Sequence, residues 1–136
     1  MRYLIDTNIL VFWLAGEDFI DRDIEDIFSD GNNVIYISSL SIFETLNLFH
    51  NQRIKTKYKT IEQLLDAITN EYYLQVLHTK SEHINTYAHL PLVKNHNDPV
   101  DKIIISQAIT EKMPLISSDT KFKEYPRLDF IFNRKS

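Results

Sequence analysis

Short runs of apolar and β-branched residues alternate along the chain with longer segments in which apolar residues recur every three or four positions. The short runs, bounded by polar residues, predict strands, and the longer periodic segments predict helices. The predicted strands are 4–5, 34–37, 74–77, 115–116 and 130–132. The predicted helices are 8–15, 22–28, 41–54, 61–68, 82–90 and 100–112.

Strands that alternate with helices predict an α/β fold with a central, mostly parallel sheet between helices. The chain has 136 residues, no internal repeat and no linker rich in Pro, Gly or Ser, so we expect one domain over residues 1–136. In such a sheet ligands bind outside the carboxyl ends of the strands. Polar residues at those ends are therefore the first candidates for a functional site.

The composition removes several classes of site. The chain has no cysteine, which excludes a disulfide-stapled fold and a cysteine zinc site. Its two glycines, Gly16 and Gly31, cannot form a Gly-rich phosphate loop. The apolar run 9–15 is too short for a membrane span and lacks the pattern of a signal peptide, so we expect a cytoplasmic protein with no membrane partner.

Two acidic residues directly follow predicted strands. Asp6 comes after the first strand, and Asp119 comes shortly after the fourth. Aspartate is common in such turns because its side chain accepts hydrogen bonds from nearby amides. Each residue alone therefore has a structural interpretation as well as a functional one.

A third acid, Glu44, lies among apolar residues shortly after the second predicted strand. Ser41 and Glu44 have the spacing of a helix capping box, with Ser41 as the N-cap. A metal-ligand role is the alternative, because a carboxylate among apolar neighbours is costly unless a positive charge pairs with it. The two interpretations are compatible.

The segment that opens the last predicted helix carries two further acids, Asp98 and Asp101. Asp98 followed by Pro99 is typical of a helix N-cap with proline at the first helical position. Asp101 suits the positive end of the helix dipole. Two carboxylates three residues apart at a helix start also suit a divalent cation.

Together these acids predict an oxygen-ligand metal site. Carboxylates that converge raise one another's pKa unless cations intervene, and Mg2+ or Mn2+ prefers oxygen ligands. Two such ions roughly 4 Å apart would suit phosphodiester hydrolysis. A receiver-like Mg2+-binding module that acts by binding is an alternative, although the sequence lacks the paired acids and strand-end lysine that such a module requires.

Four segments resemble the motifs of PIN-domain nucleases, and the VapC-type toxin of toxin-antitoxin pairs is the closest type. They are MRYLIDTN at residues 1–8, SSLSIFE at 38–44, HNDPVDKIIISQA at 96–108 and LISSDTKF at 115–122. The resemblance covers nearly the whole chain. It implies catalytic, metal-binding roles for Asp6, Glu44, Asp101 and Asp119. It implies supporting roles for Asn8, Asp98 and Ser118.

The chain departs from the family pattern at two positions. Lys102 stands where arginine is usual, and Val100 replaces a frequent phenylalanine. Lysine lacks the bidentate fork of arginine, so a phosphate contact at Lys102 would be looser. Lys121 and Lys123, next to Asp119, are further candidates for contacts with RNA.

The resemblance also implies a three-layer α/β/α fold, dependence on Mg2+ or Mn2+, and cleavage of RNA that leaves 5′-phosphate and 3′-hydroxyl ends. It implies a homodimer and a cognate antitoxin whose tail occupies the acidic pocket, often with an arginine. A PIN fold that binds RNA or a partner without cleaving is the alternative.

The net charge of −4 is the wrong sign for a protein that binds nucleic acid through basic residues alone. Seven acids and one arginine lie within residues 17–30, which predicts a solvated helix or a docking surface for a basic antitoxin segment. Four more acids belong to the candidate site. Bound cations would supply positive charge where a phosphate must bind, so the net charge is compatible with metal-dependent RNA binding.

Overall fold

The β-branched and apolar runs of the sequence form a parallel sheet at the centre of the protein. The computed structural model describes residues 1–16 and 18–135. Within them the strands are β1 (Arg2–Ile5), β2 (Val34–Ser38), β3 (Gln75–Leu77), β4 (Leu115–Ser117) and β5 (Phe130–Phe132). All neighbouring strands are parallel, in the order β3-β2-β1-β4-β5. The predicted parallel sheet is confirmed.

The helices connect successive strands, as a parallel sheet requires. They are α1 (Thr7–Ala15), α2 (Arg22–Ser29), α3 (Ser39–His50), α4 (Ile61–Asp66), α5 (Ser81–Ala88) and α6 (Pro99–Glu111). A π-helical turn, Ala67–Glu71, extends α4, and a 3-10 helix, Thr120–Glu124, follows β4. The predicted helices are confirmed, with ends shifted by a few residues.

Helix α3 differs most from its prediction at both ends. It begins directly after β2, because the Ser38 hydroxyl accepts a hydrogen bond from the Leu40 amide and so acts as the N-cap. Ser41 is buried inside the helix, so the predicted capping box of Ser41 and Glu44 is wrong. The helix ends at His50 rather than at residue 54, since Gln52 adopts a left-handed φ of 56° that reverses the chain.

Each face of the sheet has its own apolar core, because successive side chains of a strand point to opposite faces. Tyr3 and Ile5 pack on one face with apolar residues of α1, α2, α3 and α4. Leu4 packs on the other face with α6 and the 3-10 helix. The result is the predicted three-layer α/β/α arrangement, which leaves the carboxyl edge of the sheet free for polar residues.

The segment after β5 is attached to both the α1–α2 connection and the loop after β4. The Asn133 amide nitrogen donates to the Phe19 carbonyl (2.7 Å) and the Ser118 hydroxyl (2.9 Å). Its amide oxygen accepts from the Asp21 backbone N–H (2.7 Å), and Asp21 itself is buried. The solvated helix predicted within residues 17–30 is confirmed for α2, whose acids Asp23, Glu25 and Asp26 are exposed, whereas Asp21 before it is buried. Glu17 lies outside the described residues.

Among the described residues, no helix is both long enough and apolar enough to span a membrane.

Candidate functional site

The sheet reverses its order of growth between β1 and β4. From β1 the chain adds β2 and β3 on one side, whereas β4 and β5 lie on the other. In open α/β sheets this reversal leaves a crevice at the carboxyl ends of the two strands, where ligands bind. Asp6 follows β1 and Asp119 follows β4, so both acids border this crevice.

Asp6 is the most buried acid of the site, with 4% of its surface exposed. It caps α1, since one carboxylate oxygen accepts a hydrogen bond from the Thr7 amide (2.7 Å). The other oxygen accepts from the Ser117 hydroxyl (2.8 Å). Because the Ser117 hydroxyl also accepts from the Asp119 amide (3.1 Å), one side chain connects two of the acids.

Glu44 reaches the same crevice from α3. One of its carboxylate oxygens accepts a hydrogen bond of 2.6 Å from the Thr7 hydroxyl, which lies 2.9 Å from the Ser41 hydroxyl. Thr7 opens α1 and Glu44 lies within α3, so this hydrogen bond joins the two helices across 37 residues of sequence. Ser41 therefore supports Glu44 through Thr7 rather than by capping its helix.

Asp98, the predicted N-cap of α6, fills that role: one oxygen accepts from the amides of Val100 (2.9 Å) and Asp101 (3.4 Å). Its side chain is exposed and does not line the acidic pocket. Asp101 is half-buried in the first turn of α6 and does line that pocket. The two acids of this segment therefore have different surroundings.

The four predicted acids line one pocket of about 380 Å³. They come from the end of β1, from α3, from the start of α6 and from the loop after β4. The pocket is lined by Asp6, Thr7, Asn8, Val11, Glu44, Asn47, Leu48, Asp101 and Asp119. Residues that are far apart in sequence thus form a single acidic concavity.

Two of the acids have strongly altered proton affinity. Burial, with the nearby charges of Asp101 and Glu44, raises the pKa of Asp6 to about 7. Burial, with the charges of Asp98, Asp119 and Glu44, raises the pKa of Asp101 to about 7. Carboxylates that are this costly to ionise require a cation to be fully charged at neutral pH.

Asn8 also lines the same pocket. Its Oδ1 atom is buried and has no hydrogen-bond partner among the described residues. A buried polar atom without a partner is costly, and such atoms cluster where a ligand or an ion completes the site. Carboxylate and amide oxygens are the donors that Mg2+ and Mn2+ prefer, so the residues present fit a hard divalent cation.

His96, to which sequence reasoning assigned no catalytic role, lies among these acids. Its Nε2 atom lies 3.1 Å from an Asp101 oxygen, and one ligand atom from each of His96, Asp101 and Asp119 lies within 4.8 Å of the others. Spacing among the five histidines gave no metal motif. The only sequence signal was the position of His96 two residues before Asp98.

The remaining predicted residues lie around the pocket rather than in it. The Ser118 hydroxyl accepts from Asn133, whereas its neighbour Ser117 contacts the acids. Lys102 is half-buried on α6, and Lys121 and Lys123 are exposed on the 3-10 helix. The Lys121 ammonium donates to the Asn95 carbonyl (2.9 Å), so it joins this helix to the turn before α6.

The model of one protein family, described as the PIN domain, matches residues 3–128. No curated protein matches the chain significantly.

Several solved structures have the same fold. The Rickettsia felis VapBC2 structure, bound to a DNA fragment from its promoter, is 23% identical with a TM-score of 0.72, covering 98% of this chain and 99% of that one. DNA-bound VapBC from Salmonella typhimurium is 15% identical with a TM-score of 0.69, covering 97% of this chain and 98% of that one. VapBC-1 from nontypeable Haemophilus influenzae is 17% identical with a TM-score of 0.68 and the same coverage.

Proposed function

The chain belongs to the PIN domain family, and from that membership we propose that it is a metal-dependent endoribonuclease, the VapC-type toxin of a toxin-antitoxin pair. One observation carries the proposal: four carboxylates from four separate elements line a single pocket. Four carboxylates in one pocket do not stabilise the fold by packing, because each costs free energy when it is removed from water without a partner charge. The pocket is suited to holding cations against a phosphodiester.

Charge explains why a metal is required. The pocket repels a phosphate as long as its carboxylates are uncompensated. Asp6, Glu44, Asp101 and Asp119 would hold Mg2+ or Mn2+, and Asn8 would support them from the same pocket. When bound, the metal supplies Lewis-acid activation of water and neutralises charge on the phosphate.

The residues of the chain fix the arrangement in which that chemistry occurs. Ser117 holds Asp6 and the backbone of Asp119 together, and Thr7 holds Glu44 against the start of α1. These hydrogen bonds keep the carboxylates oriented before any ligand arrives, which reduces the ordering cost on binding. The expected reaction adds water across the P–O3′ bond and leaves 5′-phosphate and 3′-hydroxyl ends.

Basic residues near the pocket would contact the RNA backbone. Lys121 and Lys123 lie on the 3-10 helix directly after Asp119, and Lys102 follows Asp101 on α6. Phosphate contacts of this kind position a nucleic acid without reading its sequence. Specificity for a particular RNA would then come mostly from the shape of the substrate.

A cognate antitoxin is the proposed protein partner. The fold likeness to the toxin-antitoxin structures supports it, and an arginine from a partner would find four carboxylates in the pocket. We further propose that the chain forms a homodimer in the cytoplasm. Light scattering on purified protein, alone and with the product of a small neighbouring gene, would measure both assemblies.

The central test is RNA cleavage by the purified chain, freed of antitoxin. We expect cleavage of structured RNA with Mg2+ or Mn2+, loss of cleavage in EDTA, and recovery when metal is restored. Asp6→Asn should abolish cleavage while the domain stays folded by circular dichroism. Asp23→Asn, an exposed acid of α2, is the matched control and should cleave as the wild type does.

Each contrary result has a distinct meaning. Cleavage that persists in EDTA, or in Asp6→Asn, contradicts the metal-dependent mechanism. RNA binding without cleavage at any metal concentration contradicts the enzyme and favours a PIN fold that acts by binding.

A further inference from the structure

His96 is held in a defined position beside the acidic pocket. It lies in the turn before α6, where Asn95 adopts a left-handed φ of 64° and the His96 amide donates to the Val93 carbonyl (3.2 Å). Asparagine tolerates this conformation better than most residues. The hydrogen bond from Lys121 to the Asn95 carbonyl fixes the turn to the 3-10 helix after Asp119.

The imidazole ring of His96 is almost fully enclosed, with 3% of the residue exposed. It packs against Phe122 and Tyr125, each with a centroid separation of 5.5 Å. Its two nitrogens face two different partners: Nδ1 lies 2.7 Å from the Tyr125 hydroxyl and Nε2 lies 3.1 Å from an Asp101 carboxylate oxygen. The ring therefore connects the apolar core behind the site to one of its acids.

The Tyr125 hydroxyl determines which imidazole nitrogen carries the proton. Tyr125 is 2% exposed, so its hydroxyl proton must be donated to a protein acceptor rather than to water. Within the described residues, His96 Nδ1 is the acceptor in reach. Nδ1 therefore accepts, Nε2 carries the proton, and that proton points at Asp101.

We propose that His96 is a positioning residue for Asp101, and that Tyr125 holds His96 in the tautomer that can donate to this carboxylate. The proposal deepens the proposed function and rests on it, since the carboxylate oriented in this way is a proposed metal ligand. His96 orients one oxygen of Asp101 and leaves the other free to bind a cation.

The advantage of such an arrangement is preorganisation. A half-buried aspartate that rotates about two bonds loses that freedom when it binds a metal ion. A hydrogen bond to one of its oxygens fixes the rotamer in advance. Partners that orient ligating carboxylates typically contribute 10–100-fold to metal affinity or activity.

The test measures Mn2+ affinity by isothermal titration calorimetry on the metal-stripped full chain. His96→Phe keeps a ring between Phe122 and Tyr125 but removes the donor, so it should raise the Mn2+ dissociation constant by roughly 10–100-fold. His96→Gln places an amide N–H near the position of Nε2, so its Mn2+ dissociation constant should lie within about threefold of the wild-type value. Rescue by glutamine separates a donor role from simple packing.

His83→Phe is the matched control. His83 is another buried histidine whose Nε2 faces a carboxylate, that of Glu111 at 2.8 Å, but Glu111 lies at the opposite end of α6 and lines no part of the acidic pocket. The His83→Phe variant should keep its Mn2+ dissociation constant within about twofold of the wild-type value, even if its stability changes.

Two further measurements guard the interpretation. Tyr125→Phe keeps the ring but no longer holds His96 in one tautomer, so it should weaken Mn2+ binding by a factor between those of His96→Gln and His96→Phe. It also replaces His96→Phe as the test if that variant does not fold. Pulsed electron paramagnetic resonance of the Mn2+ complex should show no imidazole nitrogen coupling, since His96 is not a ligand in this proposal.

The outcomes distinguish a failure of the proposed function from a failure of the positioning role of His96. A wild-type chain that binds no Mn2+ and cleaves no RNA overturns the proposed function itself. A wild-type chain that binds Mn2+ while His96→Phe and Tyr125→Phe bind it equally well overturns only the positioning role. Nitrogen coupling to Mn2+ also overturns it, because His96 would then be a ligand.

Discussion

Helix α6 has a carboxylate at each end that contacts a buried histidine from another segment, and the two pairs differ in their surroundings. At its start His96 Nε2 lies 3.1 Å from Asp101, and at its end His83 Nε2 lies 2.8 Å from Glu111. In each pair Nδ1 accepts a hydrogen bond, from the Tyr125 hydroxyl at the start and from the Lys80 amide at the end. Ten residues of helix separate the carboxylates by about 15 Å.

The difference lies in charge compensation. The Lys80 ammonium lies 3.9 Å from the Glu111 carboxylate, so the pair at the end of α6 includes a cation. Burial is the main cause of the raised pKa of Asp101; the acids Asp98, Asp119 and Glu44 raise it further, and Lys121 opposes them. A lysine thus accompanies the histidine–carboxylate pair at one end of the helix, whereas other acids predominate around the pair at the other end.

Replacement of the carboxylates should give the largest contrast. Asp101→Asn is expected to lower RNA cleavage by more than about a hundredfold, because it removes a proposed ligand and even partners of ligands contribute 10–100-fold. Glu111→Gln should leave the cleavage rate within about twofold, since it is remote from the pocket. Single-turnover cleavage rates measure both, and equal losses would abolish the distinction between the two ends.

Metal binding should stabilise the folded protein through the carboxylate at the start of α6 and not through the one at its end. At a Mn2+ concentration of 100 times the dissociation constant, we expect the free energy of unfolding to rise by about 2.7 kcal/mol. Urea denaturation with and without Mn2+ measures this increase. It should be retained in Glu111→Gln and largely lost in Asp101→Asn; an increase that survives Asp101→Asn would place the ion elsewhere.

The stability of the metal-free protein should depend on pH through Asp6 and Asp101. Their folded pKa values of about 7 lie above the ordinary 3.8, so the folded state retains protons that the unfolded state has released. Their contribution to stability is fully present below about pH 4 and is lost as the pH rises through 7. Urea denaturation from pH 5 to 8 should show this fall, which Asp101→Asn should flatten.

Glu111→Gln is the control for the same series. It should shift the free energy of unfolding without flattening the decrease between pH 5 and 8. A curve that is flat in the wild type would contradict the raised pKa of the two aspartates.

The smallest effect concerns Asp98, which starts α6 without lining the pocket. Asp98→Ala should lower the free energy of unfolding by about 1 kcal/mol, the usual cost of losing an N-cap. Asp98→Asn retains the cap, so its stability and RNA cleavage should stay close to those of the wild type. A large loss of Mn2+ affinity in Asp98→Asn would instead assign this residue to the metal site.

The strands and the acids that follow them were predictable because their signals are local. Asp6 and Asp119 come directly or almost directly after β-branched runs, and Asp98 precedes a proline at a helix start. The meeting of the carboxyl ends of β1 and β4 depends in addition on the strand order, which the structure supplies. Periodicity and turn chemistry were sufficient for the strands and for the acids that follow them.

The parts that sequence reasoning missed depend on contacts between distant segments. His96 meets Tyr125 from 29 residues away, and Ser117 meets Asp6 from 111 residues away. Ser118 was the predicted supporting serine, yet alternation along β4 gives Ser117 the contact with Asp6. Similarly, α3 begins directly after β2 with Ser38 as its N-cap, so Ser41 lies inside the helix and cannot cap it.

The hydrogen bond between Ser117 and Asp6 also has a consequence for synthesis of the chain. Because β1 pairs with β4, the central strand gains its second neighbour only after more than a hundred further residues have been made. A nascent chain without β4 also lacks Asp119, so its acidic pocket is incomplete. Contacts of such long sequence separation form late and slowly. A ribosome that carries the growing chain is thus exposed to the finished pocket only after β4 and Asp119 have emerged.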